Sequence, residues 1–461
     1  MRPSLRPAVA AARVPALVTA LIAARLGAQV APAPASPPAP GPLTLGGAAR
    51  LAAAQGAGSE AARYRVAQAR ARLTQTRSAL LPTVSALASQ NARTFNTASL
   101  GISFPAAPGQ RPLFDPEGQV LGPVHVYDVR ARVAASLFDA GALGRVRAAR
   151  TLVRAGEADA DHQAQLAAAA AAQAYLRAQR ADAQVANRAA DSALAGELAT
   201  IAQQQLRAGT GVALDVTRAR AQLAAARAGL IAARGDRDRA RLDLARALGL
   251  ALDAPVMLAD TLGAGADAPP PAEGDAIRDA LGRRADLRAA ADQLAAVREQ
   301  ASAIRAERLP SVQAFADDGP TGRRVTRLLN TYTYGVQVNV PIFEGFRREG
   351  RLEEQRAAAS ELDVRRRDLE AQAAVDVRGA LLDLRTAAEQ VGAARERLAL
   401  AEQEVAQARD RFRAGVAGSA DVVTASQSLT AARIGYADAL AARQGARVAL
   451  ARAQGAVTDL P

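Results

Sequence analysis

The sequence predicts a mainly α-helical protein with a small transmembrane β part, built as an internal duplication. Three observations carry that expectation. The 461 residues are 50% hydrophobic yet only 3% aromatic. The apolar half is dominated by Ala, and all 58 basic residues are Arg, both strong helix formers. A series of short landmarks returns in the same order in the second half, and each series contains a stretch of strict apolar–polar alternation.

Composition also excludes. With no Cys, disulfide scaffolds, thiolate metal sites and thiol chemistry are ruled out, as is a lipid anchor on cysteine. The two His residues, His125 and His162, leave little for a histidine-ligated metal, so no cofactor, metal or catalytic activity is expected. Glu157, Asp159, Asp161 and His162 cluster in one stretch, best read as a solvated helix face. Arg residues alternate with acids, as in Arg237-Asp238-Arg239, and lack stacking aromatics, which argues against nucleic acid despite the net charge of +13.

Residues 1–28 have the form of a secretory signal peptide: Arg2, Arg6 and Arg13 precede a short apolar run, Val14–Ala24, and Leu26-Gly27-Ala28 offers a small-residue cleavage site. Residues 29–42 are Pro-rich and read as an extended linker.

The duplication then takes over. Arg77-Ser-Ala-Leu-Leu81-Pro82-Thr-Val84 returns as Arg305-Ala-Glu-Arg-Leu309-Pro310-Ser-Val312. Leu137-Phe138-Asp139-Ala-Gly141 returns as Ile342-Phe343-Glu344-Gly345, and Leu206-Arg-Ala-Gly209…Asp215-Val216 as Phe412-Arg-Ala-Gly415…Asp421-Val422. Spacing differs between the Leu-Pro and Phe landmarks, which points to an insertion in the first copy around Phe104–Val124. The expected division is repeat 1 over 43–250, an inter-repeat linker over 251–274, and repeat 2 over 275–457.

In each repeat a helix ends at the Leu-Pro dipeptide, because the residue before proline disfavours helix. A strand pair follows, about 83–138 and 311–343. Tyr127, Val129, Val133 and Leu137 alternate with polar residues, and so do Tyr332, Tyr334, Val336 and Val338; these eight are the candidate lipid-facing positions. The first strands, around Thr83–Phe95 and Ser311–Ala316, are less distinct.

Proline-free helical stretches of about 140–208 and 346–414 come next, each about 100 Å long. In the second, Val377, Leu384, Val391, Leu398, Val405 and Phe412 recur every seven residues, as do Ala373, Ala380, Ala387, Ala394, Ala401 and Ala408. That is a coiled-coil seam whose Ala positions permit close approach. Gly-containing turns at Ala208–Val212 and Ala414–Ser419 reverse the chain into return helices, ending the helical hairpins at about 249 and 457. Four strands cannot close a barrel in lipid, so the strands must be pooled between chains; a trimer gives twelve.

Together these landmarks, in this order and twice over, resemble the outer membrane efflux protein family, the TolC-like channels. The resemblance spans about Leu43 to Gly455. It implies a trimer with a 12-stranded outer-membrane β-barrel, four strands per chain, continued by a long periplasmic α-helical barrel. It also implies a passive exit duct in the outer membrane of a Gram-negative bacterium, for efflux or type I secretion. The implied partners are a periplasmic adaptor (membrane fusion protein), an inner-membrane transporter of RND, ABC or MFS type, and outer membrane lipid.

The resemblance places Gly209, Thr210, Gly211 and Asp215, with Gly415, Gly418 and Asp421, at the periplasmic tip where the adaptor docks. Asp421 matches the acidic pore constriction. Asp215 and Asp421 also suit capping of the return helices. Two departures from the family pattern, Thr424 and Ala417, stand where a second acid and a latching base can occur. Two other readings use long helical hairpins: a periplasmic adaptor, and a structural coiled-coil protein of the envelope. The duplicated hairpins and amphipathic strands weigh against both.

Overall fold

The computed structural model describes residues 41–100, 118–263 and 269–461. The expected signal peptide and nearly all of the Pro-rich linker lie outside them. So does most of the Pro/Gly-rich segment around 104–124, although its last residues, from Val120, are strand.

In chain order the elements are α1 (Leu45–Gln55), α2 (Ala57–Ser78), β1 (Thr83–Asn96), β2 (Val120–Phe138), α3 (Ala140–Arg207) and α4 (Ala213–Leu248). Then follow α5 (Glu273–Arg283), α6 (Ala285–Ala306), β3 (Ser311–Gly322), β4 (Leu329–Asn339), α7 (Arg347–Arg413) and α8 (Ser419–Ala453). The long helices have 68 and 67 residues and their return helices 36 and 35. No helix among the described residues is long and apolar enough to cross a membrane.

All four strands form one antiparallel sheet in the order β1-β2-β3-β4. Two strands run further than their alternation suggests. β2 starts at Val120, seven residues before Tyr127, because a register shift beside Gly122-Pro123 breaks the period-two pattern there. β3 runs to Gly322 rather than Ala316, through polar Asp317 and Asp318, because Arg130 and Asn330 bond to those carboxylates.

All twelve seam positions predicted in α7 are buried or half-buried, and α7 packs along α8. Small residues make this possible: Ala373, Ala380, Ala387 and Ala401 sit against the neighbouring helix beside Val377, Val391 and Val405. α3 shows no such regular seam because it packs against five helices, α1, α2, α4, α6 and α8, and must be small on several faces. Its buried set is accordingly mostly Ala.

Midway along α3, one polar contact ties the join between the two halves to the first half. Tyr175 is fully buried, and its hydroxyl donates to the Leu43 carbonyl at 2.7 Å and lies 3.2 Å from Asp260 Oδ2. The same carboxylate accepts from the Leu45 N–H at 2.9 Å, and Leu43 pairs with Leu258 as a parallel bridge. Further along the chain, half-buried Arg284 holds Asp286 and Asp376, each at 2.8 Å. Burial is the largest influence on Asp286 and opposes ionisation, but the Arg284 bonds outweigh it and hold the carboxyl below its usual range.

Burial pushes the Tyr175 hydroxyl up to about 12. A raised folded-state value favours the neutral phenol, so this contribution is complete below the ordinary tyrosine range near pH 10 and is lost as pH rises through about 12. Tyr175→Phe should cost about 1 kcal/mol, the net worth of the lost hydroxyl bonds, because the Leu43 carbonyl keeps the Ala259 N–H and Asp260 Oδ2 keeps the Leu45 N–H. Thermal unfolding and ultraviolet phenolate titration check both points: one late-titrating tyrosine is expected, absent in the variant.

Candidate functional site

Two regions hold the expected functional residues. At the far end of the long helices are the tip turns. Gly209 and Gly415 adopt φ of 75° and 73°, the left-handed conformation that ends a helix. Each turn is closed by the same pair of bonds: Gly209 N–H to Leu206 O and Thr210 N–H to Gln205 O, then Gly415 N–H to Phe412 O and Val416 N–H to Arg411 O, all at 3.0–3.1 Å. Gly211 is required differently, since a Cβ there would stand 2.9 Å from Gln205 Cβ.

Phe412 is buried at the tip among Leu198, Val216, Ala219 and Val422, so the two turns share one apolar plug. Polar bonds reinforce it. Gln205 Nε2 donates to the Phe412 carbonyl at 2.7 Å, Ser419 Oγ donates to Asp215, and Arg413 pairs with Glu197. Gln205, Glu197, Arg413 and Ser419 were not singled out in the sequence. Gln205, Glu197 and Ser419 stand where the other copy has Arg411, Gln403 and Ala213, a difference that exposes them, whereas Arg413 matches Arg207 and carries no such signal.

Asp215 and Asp421 are not the capping residues expected. α4 and α8 are capped by Val212 and Gly418, neither through a side chain, and both acids lie in the first helical turn. There they face the positive end of the helix dipole without satisfying a cap N–H. Asp215 is engaged with Ser419, whereas Asp421 is exposed and has no partner among the described residues. Gly418 and Thr210 are also exposed.

At the opposite end, the sheet register sorts the strand residues onto two faces. Val84 pairs with Val133, Ala88 with Val129 and Gln90 with Tyr127; Val133 pairs onward with Ala316, Ala316 with Tyr334, Ala314 with Val336 and Val312 with Val338. Directly opposed residues share a face, so Tyr127, Val129, Val133, Tyr332, Tyr334, Val336 and Val338 lie together. Leu137 is the exception. It sits at a register irregularity, and Phe138 pairs with Val312 instead. Tyr332 and Tyr334 are 73% and 77% exposed, so none of the described residues covers this face. Their rings stack with centroids 6.2 Å apart.

The opposite face is polar. Arg130 bonds Asp128 and Asp317 at 2.8 Å, and Arg132 lies over the Phe315 ring at 5.7 Å. On α3, Glu157, Asp159 and Asp161 pair with Arg70, Arg65 and Arg288, as a solvated helix face should. No metal-holding group of acids and His occurs among the described residues.

Comparison with known proteins identifies the arrangement. Residues 60–250 and 276–456 match the family described as Outer membrane efflux protein. The chain belongs to the outer membrane efflux protein family. Its members are outer-membrane channels with a long helical periplasmic portion. The channel OprN shares the fold with a TM-score of 0.73 at 22% identity, covering 89% of this chain and 90% of OprN. CusC gives a TM-score of 0.73 at 19% identity over 92% and 99% of the two chains, and MtrE of Neisseria gonorrhoeae 0.70 at 20% over 89% and 88%. Protein CyaE of Bordetella pertussis is 28% identical over 312 residues, 64% of each chain, so the match spans less than two thirds of that relative.

If the apolar face meets lipid, Val336→Arg should abolish stable membrane insertion, because a lipid-facing Arg costs about 2–4 kcal/mol mid-bilayer. Outer-membrane fractionation checks this, and normal levels of the variant would contradict the assigned face.

Proposed function

We propose that this protein is the passive outer-membrane exit duct of a tripartite efflux pump or type I secretion system. The observation that carries the reading is the sheet: among the described residues it has four strands, one uncovered apolar face, one charged face, and two edges, β1 and β4, with no neighbour. Such a sheet is stable in lipid only when closed. Three chains supply twelve strands, enough for a barrel, and the helical hairpins below them supply a tube. The division into two repeats, about 43–250 and 275–457, accounts for the paired helix lengths.

In this reading the apolar face carrying Tyr127, Val129, Val133, Tyr332, Tyr334, Val336 and Val338 lies against outer-membrane lipid. The polar face lines the lumen. The tip residues Gly209, Thr210, Gly211, Asp215, Gly415, Gly418 and Asp421 form the docking end for a periplasmic adaptor, which links the duct to an inner-membrane transporter of RND, ABC or MFS type. Energy comes from the transporter. Asp421, exposed and without a partner among the described residues, is the residue assigned to the constriction, where three carboxylates around a narrow pore attract cations and repel anions.

Planar-bilayer recording of the purified protein tests both parts. Conductance without nucleotide or proton gradient is expected, with cation preference that Asp421→Ala weakens. A non-conducting assembly would contradict the duct, and unchanged ion selectivity in the variant would contradict the pore-lining assignment.

A further inference from the structure

The β3–β4 connection, residues 323–328, carries three arginines within five positions: Arg323, Arg324 and Arg327. All three are exposed, and among the described residues none of their guanidinium groups has a hydrogen bond or ion pair. Nothing nearby in sequence neutralises them, because no carboxylate occurs between Asp318 and Glu344. The two acids just before the turn are already engaged, Asp317 by Arg130 and Asp318 by Asn330.

Position gives this charge a meaning. The turn lies at the end of the sheet opposite the helices, since β3 follows α6 and β4 leads to α7. Going toward it along β4, the uncovered face runs from Val338 and Val336 to the stacked pair Tyr334 and Tyr332. Valines followed by paired aromatics are the order of a hydrocarbon band and its interfacial girdle. At about 3.4 Å per residue, β4 begins about 10 Å beyond Tyr332, which brings the arginines to headgroup height. Exposed Val325 adds an apolar contact beside them.

We propose that Arg323, Arg324 and Arg327 form a binding site for the phosphate groups of outer-leaflet glycolipid. This rests on the reading that the apolar face of the sheet lies in outer-membrane lipid. Arg is suited to the task, because its planar fork donates two parallel bonds to a phosphate and keeps its charge at any physiological pH. Closure of three chains would repeat the cluster around the rim, presenting each site to lipid at the barrel wall.

The test uses the full-length protein in detergent as wild type, as R323Q/R324Q/R327Q and as R323K/R324K/R327K, with bisphosphorylated lipid A, dephosphorylated lipid A and inorganic phosphate as probes. Wild type should bind the phosphorylated glycolipid on the order of 100-fold more tightly than the dephosphorylated form. The Gln variant should lose that preference and the Lys variant, which keeps the charge, should retain most of it. A Gln variant indistinguishable from wild type overturns the proposal. Inorganic phosphate displacing lipid A at equal concentration also overturns it, in favour of a site for free anions. Wild-type protein recovered outside the outer membrane would overturn the channel reading beneath it, whereas correct location without phosphate-dependent binding overturns this proposal alone.

Discussion

A four-stranded sheet leaves two rows of backbone N–H and C=O groups without partners, and hydrocarbon offers none to replace them. Most of the rest of the structure follows from that constraint. The sheet carries apolar side chains on one face and ion-paired ones on the other, an arrangement that suits a wall between lipid and water. Its edges require copies of the same chain, so the unit that functions is larger than the chain that folds. Once three sheets close, the six long helices they feed, each about 100 Å, have only one direction to run.

Below the sheet, stability depends on small residues and on charge pairing more than on large side chains. Alanine at alternate seam positions of α7 lets helices approach closely, and valine, leucine and phenylalanine fill the intervening sites. The surfaces are laced with Arg–carboxylate pairs, most of them exposed and individually worth little. The more deeply buried polar contacts include Tyr175 with Leu43 and Asp260, Arg284 with Asp286 and Asp376, and the bonds between the two tips. Buried Asp191 with Arg433 and Thr151 with Glu299 add two more along the length of α3.

Much of this was legible because the relevant patterns are periodic. Seven-residue spacing placed every seam residue of α7, and two-residue spacing placed Val129, Val133, Val336 and Val338 on one face. Legibility failed where periodicity breaks. The first residues of β2 were missed because the register shifts beside Gly122-Pro123, and Leu137 was assigned by parity at a point where the pairing slips. Asp215 and Asp421 look like caps in sequence, yet each helix begins earlier than its acid. Contacts between residues distant in sequence, such as Gln205 to Phe412 across the two copies or Tyr175 to Asp260 in the join, leave no local trace and emerge only from the fold.

Everything above the helices depends on strands being shared between chains. Electron microscopy of the full-length protein, extracted with detergent from the outer membrane of a Gram-negative host, tests it most directly. Hollow tubes with threefold symmetry, a closed β wall at one end and helices of about 100 Å below it, are the expected result. Soluble monomers or solid helical rods would mean that the sheet edges are satisfied some other way, and the duct reading would fall with them.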